Sequence, residues 1–229
     1  MGFVVGIDGT AGSGKGTVTK RIANKLNLIN IDTGITYRCV ALAALDEGAI
    51  VNNIIDEKKV VGLLDKIDIS INNTPEGDIV YLNGRDVTRK IREKDVSQVV
   101  SQVSSIKEVR YKMVDLQRKM AEGKDVIMEG RDICTYVFPN ADVKIYLDAS
   151  EETRAKRRLL EMQEKGINMT YEEVIDNIRK RDYNDKTKEI GALKVTPESI
   201  VIDTTNLSIE EVENKIIKII EEKRENKWE

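Results

Sequence analysis

Residues 3–26 read FVVGIDGTAGSGKGTVTKRIANKL, and this stretch limits the fold more than any other. Phe3–Asp8 is a short apolar run of the length and flanks expected of a buried strand. Gly9, Gly12, Gly14 and Gly16 then punctuate a turn. From Lys15 to Leu26 the apolar residues Val18, Ile22, Ala23 and Leu26 recur at helical spacing. A buried strand that runs through a glycine-rich turn into an amphipathic helix must pack that helix back onto its own sheet, which predicts an α/β fold.

The rest of the chain continues the alternation. Asn27–Asp32 predicts a second strand and Gly34–Gly48 a helix; Asp125–Met128, Val143–Leu147 and Ser199–Asp203 predict further core strands. Ser150–Lys165 and Tyr171–Lys188 read as charged helices, and Ser208–Lys223 as an amphipathic one with Ser208 and Glu211 in capping-box spacing. Asp95–Gly123 is helical with a phase shift near Ser104–Lys107. Between these, Asp68–Asn73 and Asp78–Val87 alternate polar and apolar around the turns Asn73–Asp78 and Asn83-Gly84. The expected architecture is a parallel sheet flanked by helices, residues 1–56 and 96–229, with a small antiparallel β insertion at 57–95.

The turn Gly9-Thr10-Ala11-Gly12-Ser13-Gly14-Lys15-Gly16-Thr17 fits a phosphate-binding loop. Its backbone N–H groups and the helix N-terminus suit an anion, and Lys15 can reach the outer phosphates of a nucleoside triphosphate. The usual loop follows Lys with a Ser or Thr that binds Mg²⁺. Here Gly16 takes that place and the hydroxyl comes one residue later, at Thr17, so Mg²⁺ must be held by phosphate, water and a carboxylate elsewhere. Glu129, at the end of an apolar strand, is the candidate, acting through water.

Composition excludes other chemistries. The chain has 229 residues and no histidine, and Cys39 and Cys134 are its two cysteines. Ser-His-Asp and Cys-His catalysis, a disulfide framework and a zinc site are all excluded. A net charge of −3 gives no case for nucleic acid. No apolar run approaches the length of a membrane span, and the apolar start is too short and lacks the basic flank of a signal peptide. A cytoplasmic protein, acting as a monomer, is expected.

The variant G-K-G-T resembles the loop of nucleoside monophosphate kinases, and further motifs resemble bacterial cytidylate kinases in particular. These are Asp32-Thr-Gly-Ile-Thr-Tyr-Arg38, the Ser101–Arg110 segment SQVSSIKEVR, Glu129-Gly-Arg-Asp-Ile-Cys-Thr135, Val143–Ala149, Arg154–Arg158 and Arg181–Asp185, in the family's order and spacing. The resemblance runs from about Phe3 to Ile220. It implies a P-loop kinase core, a monophosphate-binding role for the 57–95 insertion, and a short helical lid at about 150–166. It implies ATP with Mg²⁺ as phosphoryl donor and CMP or dCMP as acceptor. Three residues depart from the pattern: Cys134 stands where Gly is usual, Lys188 where Arg is expected, and Glu129 where Asp is common.

The resemblance carries residue roles with it. Thr33, Arg38 and Arg131 match residues for the acceptor phosphate, where an Arg fork makes paired hydrogen bonds. Ser101, Arg110 and Asp132 match the base-reading set: a carboxylate accepts from the cytosine amino group, and Arg110 donates to its ring acceptors. Arg181 and Asp185 match residues at the acceptor's sugar and phosphates, with Lys188 beside them. Arg154, Arg157 and Arg158 match the lid over the donor phosphates. Lys15, Arg131, Asp132, Arg154, Arg157 and Arg181 form the expected catalytic set. Other readings are a kinase for uridylate, adenylate or thymidylate, a P-loop kinase of small alcohols, and a nucleotide-gated regulatory module. The last lacks an N-K-x-D motif, since Asn24-Lys25 is followed by Leu26-Asn27.

Overall fold

A computed structural model describes residues 2–74, 77–164 and 166–228. Among these residues the elements run, in chain order, β1 Val4–Gly9, α1 Lys15–Leu26, β2 Ile29–Asp32, α2 Thr33–Asp46, β3 Ile50–Val51, β4 Ile54–Ile55 and α3 Glu57–Leu63. They continue through β5 Ile69–Thr74, β6 Gly77–Leu82, β7 Arg85–Asp86, α4 Lys94–Val103, α5 Lys107–Ala121 and β8 Val126–Gly130. The chain closes with β9 Val143–Asp148, α6 Glu151–Glu164, α7 Tyr171–Thr187, β10 Ile200–Asp203 and α8 Ile209–Trp228. Contacts divide it into two units: residues 1–31 with 121–229, and residues 32–120.

The first unit holds a five-stranded sheet ordered β10-β9-β1-β8-β2. Central β1 pairs in parallel with β8 (Asp8 opposite Gly130) and with β9 (Gly9 opposite Leu147), and β10 pairs in parallel with β9. All six residues of β1 are buried, as befits a parallel strand covered on both faces. On one face Val5, Ile7, Ile127, Ile145 and Leu147 meet Val18 and Ile22 of α1 and Val212, Ile216 and Ile220 of α8. Helices α6 and α7 pack together through Ala155, Val174 and Ile178. The turn from β1 into α1 stands at the carboxyl end of the central strand, where the chain's crossovers diverge to opposite edges of the sheet. That is where open α/β sheets bind ligands.

The second unit is built on α2. Of its 14 residues, ten are buried, as expected of a helix that is apolar on all sides. Around it gather Val80 and Leu82 of β6, Ile91 just before α4, Val96, Val99 and Val103 of α4, and Val109 and Met113 of α5. The antiparallel sheet β5-β6-β7 forms at the alternating segments. Asn83 and Gly84, at φ 51° and 75°, make the two-residue turn joining β6 to β7. The predicted turn at residues 73–78 has its two central residues outside the described ones, as is Lys165 at the end of the predicted helix 150–165.

Two boundaries differ from expectation for clear local reasons, and a break falls where the phase shift led one to be expected. Asn27 is not strand: at φ 53° it caps α1 in the left-handed conformation, so β2 begins at Ile29. Asp32 caps α2 by accepting from the Gly34 N–H at 2.9 Å, so that helix starts at Thr33. The 95–123 helix breaks after Val103 and restarts at Lys107, where its apolar phase shifts.

Candidate active site

The loop from Gly9 to Gly14 delivers its helix with a bare N-terminus, because the capping residue is Gly14 at φ 94°, with no side chain to occupy the first N–H groups. Lys15 is buried, and its ammonium donates to the Gly9 and Thr10 carbonyls at 2.7 and 2.8 Å and to Ser13 Oγ at 3.3 Å. Burial lowers its pKa well below the usual lysine value; Arg131 and Arg181 push the same way, opposed by Glu129 and Asp8. An anionic ligand would favour the charged form. The loop is braced from behind: Thr10 Oγ1 donates to Asp148 at 2.8 Å, Thr204 Oγ1 to the Ser13 carbonyl at 3.2 Å, and Arg154 Nη1 to the Ala11 carbonyl at 3.1 Å. Gly12, Gly16 and Thr17 are exposed.

Gly16 faces the Glu129 carboxylate. A Cβ there would stand 3.2 Å from Glu129 Oε1 and 3.6 Å from Oε2, so the missing side chain makes room for the carboxylate at the end of β8. Thr19 Oγ1 donates to the same Glu129 Oε1 at 3.3 Å. Glu129 therefore lies beside the first turn of α1, on the residue where the more usual loop carries its hydroxyl.

Beyond Glu129 the strand gives way to Arg131, Asp132 and a π-helical turn, Ile133–Val137. Asp8 builds that turn: its two carboxylate oxygens accept from the Ile133 and Cys134 N–H groups, each at 2.8 Å. Burial outweighs these donors and raises the Asp8 pKa. Asp132 is buried at the start of the turn, with its carbonyl accepting from Tyr136 and Val137. Cys134 Sγ lies against β1 at Gly6, where a Cβ would approach it to 2.8 Å; burial raises its thiol pKa.

Helices α6 and α7 supply the remaining charges of this unit. Arg131 Nε pairs with Asp185 Oδ2 at 2.7 Å, and Lys188 Nζ with Asp185 Oδ1 at 3.0 Å. Burial would raise the Asp185 pKa, but Arg131, Lys188 and Arg181 together hold it at about 2. Burial opposes the charge on Arg131, and Asp185, Glu129 and Asp182 more than restore it. Arg181 is exposed. The three arginines of α6 have separate partners. Arg154 is buried and pairs with Asp182 at 2.7 Å. Arg157 grips Thr204 through Oγ1 at 3.0 Å and the carbonyl at 2.7 Å. Arg158 pairs with Glu161 at 2.7 Å.

The other named residues lie in the second unit. Thr33 is buried in the first turn of α2, and its carbonyl accepts from Thr36 Oγ1 at 2.8 Å. Arg38, half-buried on α2, donates to the Ile91 carbonyl and to Ser97 Oγ, each at 3.0 Å. Ser101 and Arg110 flank the break between α4 and α5. Arg110 is buried over the Tyr37 ring, 5.3 Å from its centroid, and reaches the Ser104 carbonyl at 3.4 Å. Ser101 Oγ is buried with no hydrogen-bond partner among the described residues, which marks it as a group with capacity for a ligand.

The sequence reading overlooked Thr19, Asp148, Asp182 and Thr204. Asp148 and Thr204 carry a usable signal, since each ends or follows a strand at the binding edge of the sheet. Asp182 stands directly beside Arg181 in a motif already singled out. Thr19 has no signal beyond lying one turn into α1.

The chain is similar to known proteins over nearly its whole length. A profile of the family "Cytidylate kinase" matches residues 5–222. A protein named cytidylate kinase from Caldicellulosiruptor saccharolyticus is 47% identical over 215 residues, covering 94% of each chain. One of the same name from Lactobacillus gasseri is 48% identical, covering 97% of this chain and 95% of that one. Another, from Bacillus subtilis, is 44% identical and covers 96% of each. The profile match takes in the phosphate loop, the Arg131-Asp132 turn and the Arg181–Asp185 helix, and the chain belongs to the cytidylate kinase family.

Proposed function

We propose that the protein transfers the γ-phosphoryl group of ATP to CMP or dCMP, giving ADP and CDP or dCDP. The observation that carries this reading is the family match across nearly the whole chain. The acceptor is a phosphate oxygen, already anionic at neutral pH, so the reaction needs positioning and charge stabilisation rather than a general base. That is compatible with a chain that has no histidine.

In this reading the loop Gly9–Thr17 cradles the ATP phosphates and Lys15 neutralises charge on the outer ones. Supporting it are the bare helix N-terminus and the Lys15 ammonium held on the loop's own carbonyls. Arg131 binds the acceptor phosphate and, with Arg181, stabilises the transferring group. Arg154, Arg157 and Arg158, in a lid of about residues 150–166, serve the donor side. Thr33 and Arg38 bind the acceptor phosphate, Ser101, Arg110 and Asp132 read cytosine, and Arg181 and Asp185 hold the acceptor's sugar and phosphates, with Lys188 beside them. The 57–95 segment serves as the monophosphate-binding insertion on a core of 1–56 and 96–229. A Mg²⁺ ion accompanying ATP suits Glu129, the carboxylate for which Gly16 makes room. The ion would neutralise phosphate charge, held mainly by phosphates and water as Mg²⁺ commonly is. We place the enzyme in the cytoplasm as a monomer, without nucleic-acid or membrane partners. No helix among the described residues is long and apolar enough to cross a membrane.

Initial rates with CMP, dCMP, UMP, AMP, TMP and shikimate, at fixed ATP and Mg²⁺, test the reading. A cytidine nucleotide should give the highest kcat/KM. A higher value for UMP, AMP or TMP would replace the acceptor, and turnover with shikimate alone would replace the reaction class.

A further inference from the structure

Helix α7 carries two buried carboxylates three residues apart, Asp182 and Asp185, and at that spacing they share a face. They hold different arginines. Asp185 takes Arg131, at the end of β8. Asp182 takes Arg154 of α6. The Arg154 guanidinium is shared further: Nε donates to the Ala149 carbonyl at 3.0 Å, and Nη1 to the Ala11 carbonyl of the phosphate loop at 3.1 Å. A continuous line of charged contacts therefore runs from Arg131 through α7 to the backbone of the loop. Its middle member is unusual. Asp182 Oδ1 is buried with no hydrogen-bond partner among the described residues, a costly arrangement for a carboxylate and one that calls for a reason. Asp182 is also close enough to Arg131 to help stabilise its charge. It thus acts electrostatically on one arginine while bonding the other.

We infer that Asp182 is a positioning residue that couples the phosphate loop to Arg131, so that acceptor and donor nucleotides strengthen each other's binding. This rests on the proposed role of Arg131 at the acceptor. An anion that engages Arg131 redistributes that arginine between the ligand, Asp185 and Asp182. A resulting shift of α7 reaches Ala11 through the Arg154 side chain that Asp182 holds. Linkage makes the effect reciprocal: if CMP tightens ATP binding by some factor, ATP tightens CMP by the same factor.

The experiment measures the dissociation constant of a non-hydrolysable ATP analogue with and without saturating CMP, in the wild-type chain, Asp182→Asn and Asp182→Glu. Wild type should show tightening by at least about fivefold, within the usual range of coupling between sites. In Asp182→Asn the factor should fall to within about twofold of unity, while CMP binding measured alone changes less than about twofold. Asp182→Glu, which keeps the charge, should recover part of the coupling. Undiminished coupling in Asp182→Asn, or none in wild type, overturns the inference. If Asp182→Asn does not fold, Asp182→Glu with Arg154→Lys carries the test, and wild-type coupling in both overturns it. If wild type binds the ATP analogue but not CMP, it is the functional reading that fails.

Discussion

At Lys15 a burial cost and a proposed ligand role meet in one side chain. The ammonium is almost out of water, and its charge is sustained by carbonyls and by two acids that only partly offset two arginines. Lys15→Ala should therefore cost about 10²–10³-fold in kcat, the scale set by loss of one preorganised charge-stabilising donor. Its urea-unfolding free energy without nucleotide should change by no more than about 1 kcal/mol, since relief from burial offsets the lost hydrogen bonds. Equal proportional losses in activity and stability would contradict the role. Asp132→Asn replaces an acceptor by a group that can also donate. The kcat/KM preference for CMP over UMP should fall by about tenfold or more, and an unchanged ratio would remove Asp132 from base reading. Cys134 and Gly6 are a packing pair: the thiol occupies the space that a Cβ on β1 would need. Gly6→Ala should destabilise by about 1–3 kcal/mol, as overpacking does, and adding Cys134→Gly should restore part of it. Thermal unfolding of the single and double variants checks this, with strict additivity as the contrary result.

At the scale of elements, α7 is a charged helix whose inner face is ionic. Asp185 is held at about 2 against an ordinary 3.8. A carboxyl with a depressed folded-state pKa stabilises above its unfolded value, and that contribution disappears as pH falls from about 4 to about 2. Its size is about 2 kcal/mol. Asp8 acts in the opposite sense, because its pKa is raised. Urea midpoints measured from pH 5 to pH 2 should fall more steeply in wild type than in Asp185→Asn. The variant should also be less stable at pH 7, because Arg131 and Lys188 lose a buried partner. Parallel pH profiles would show that the network does not titrate as one. The charges of this helix were legible as the spacing Arg181–Asp185, but their pairing was not. Besides Lys188, Asp185 bonds Arg131, 54 residues away, and spacing along one helix holds no information about partners on a distant strand end. The π-helical turn at Ile133–Val137 was illegible for a similar reason. It is set by a long-range cap from Asp8, 125 and 126 residues distant, in a segment with no periodic pattern of its own.

For the whole molecule, the α/β class and the phosphate loop could be read from residues 3–26, because strand, turn and helix there are all local and mutually consistent. The antiparallel hairpin at Asn83-Gly84 was equally legible, since its turn demands positive φ at two successive residues. The division of the chain into units 1–31 with 121–229 and 32–120 was not, because α2 looks in sequence like any helix following a core strand. Its all-round apolarity is what makes it the centre of a separate cluster. Lys15, Gly16 and the Arg131-Asp132 pair stand out as candidates in sequence because motif and spacing mark them. Residues whose work is bracing, Asp182, Asp148 and Thr204, were not legible in this way. The most direct test of the account is a ³¹P NMR time course of the purified chain with ATP, Mg²⁺ and CMP. The account predicts that CDP and ADP resonances grow together in equal amounts while no inorganic phosphate accumulates. Release of inorganic phosphate from ATP with CMP left intact would contradict it.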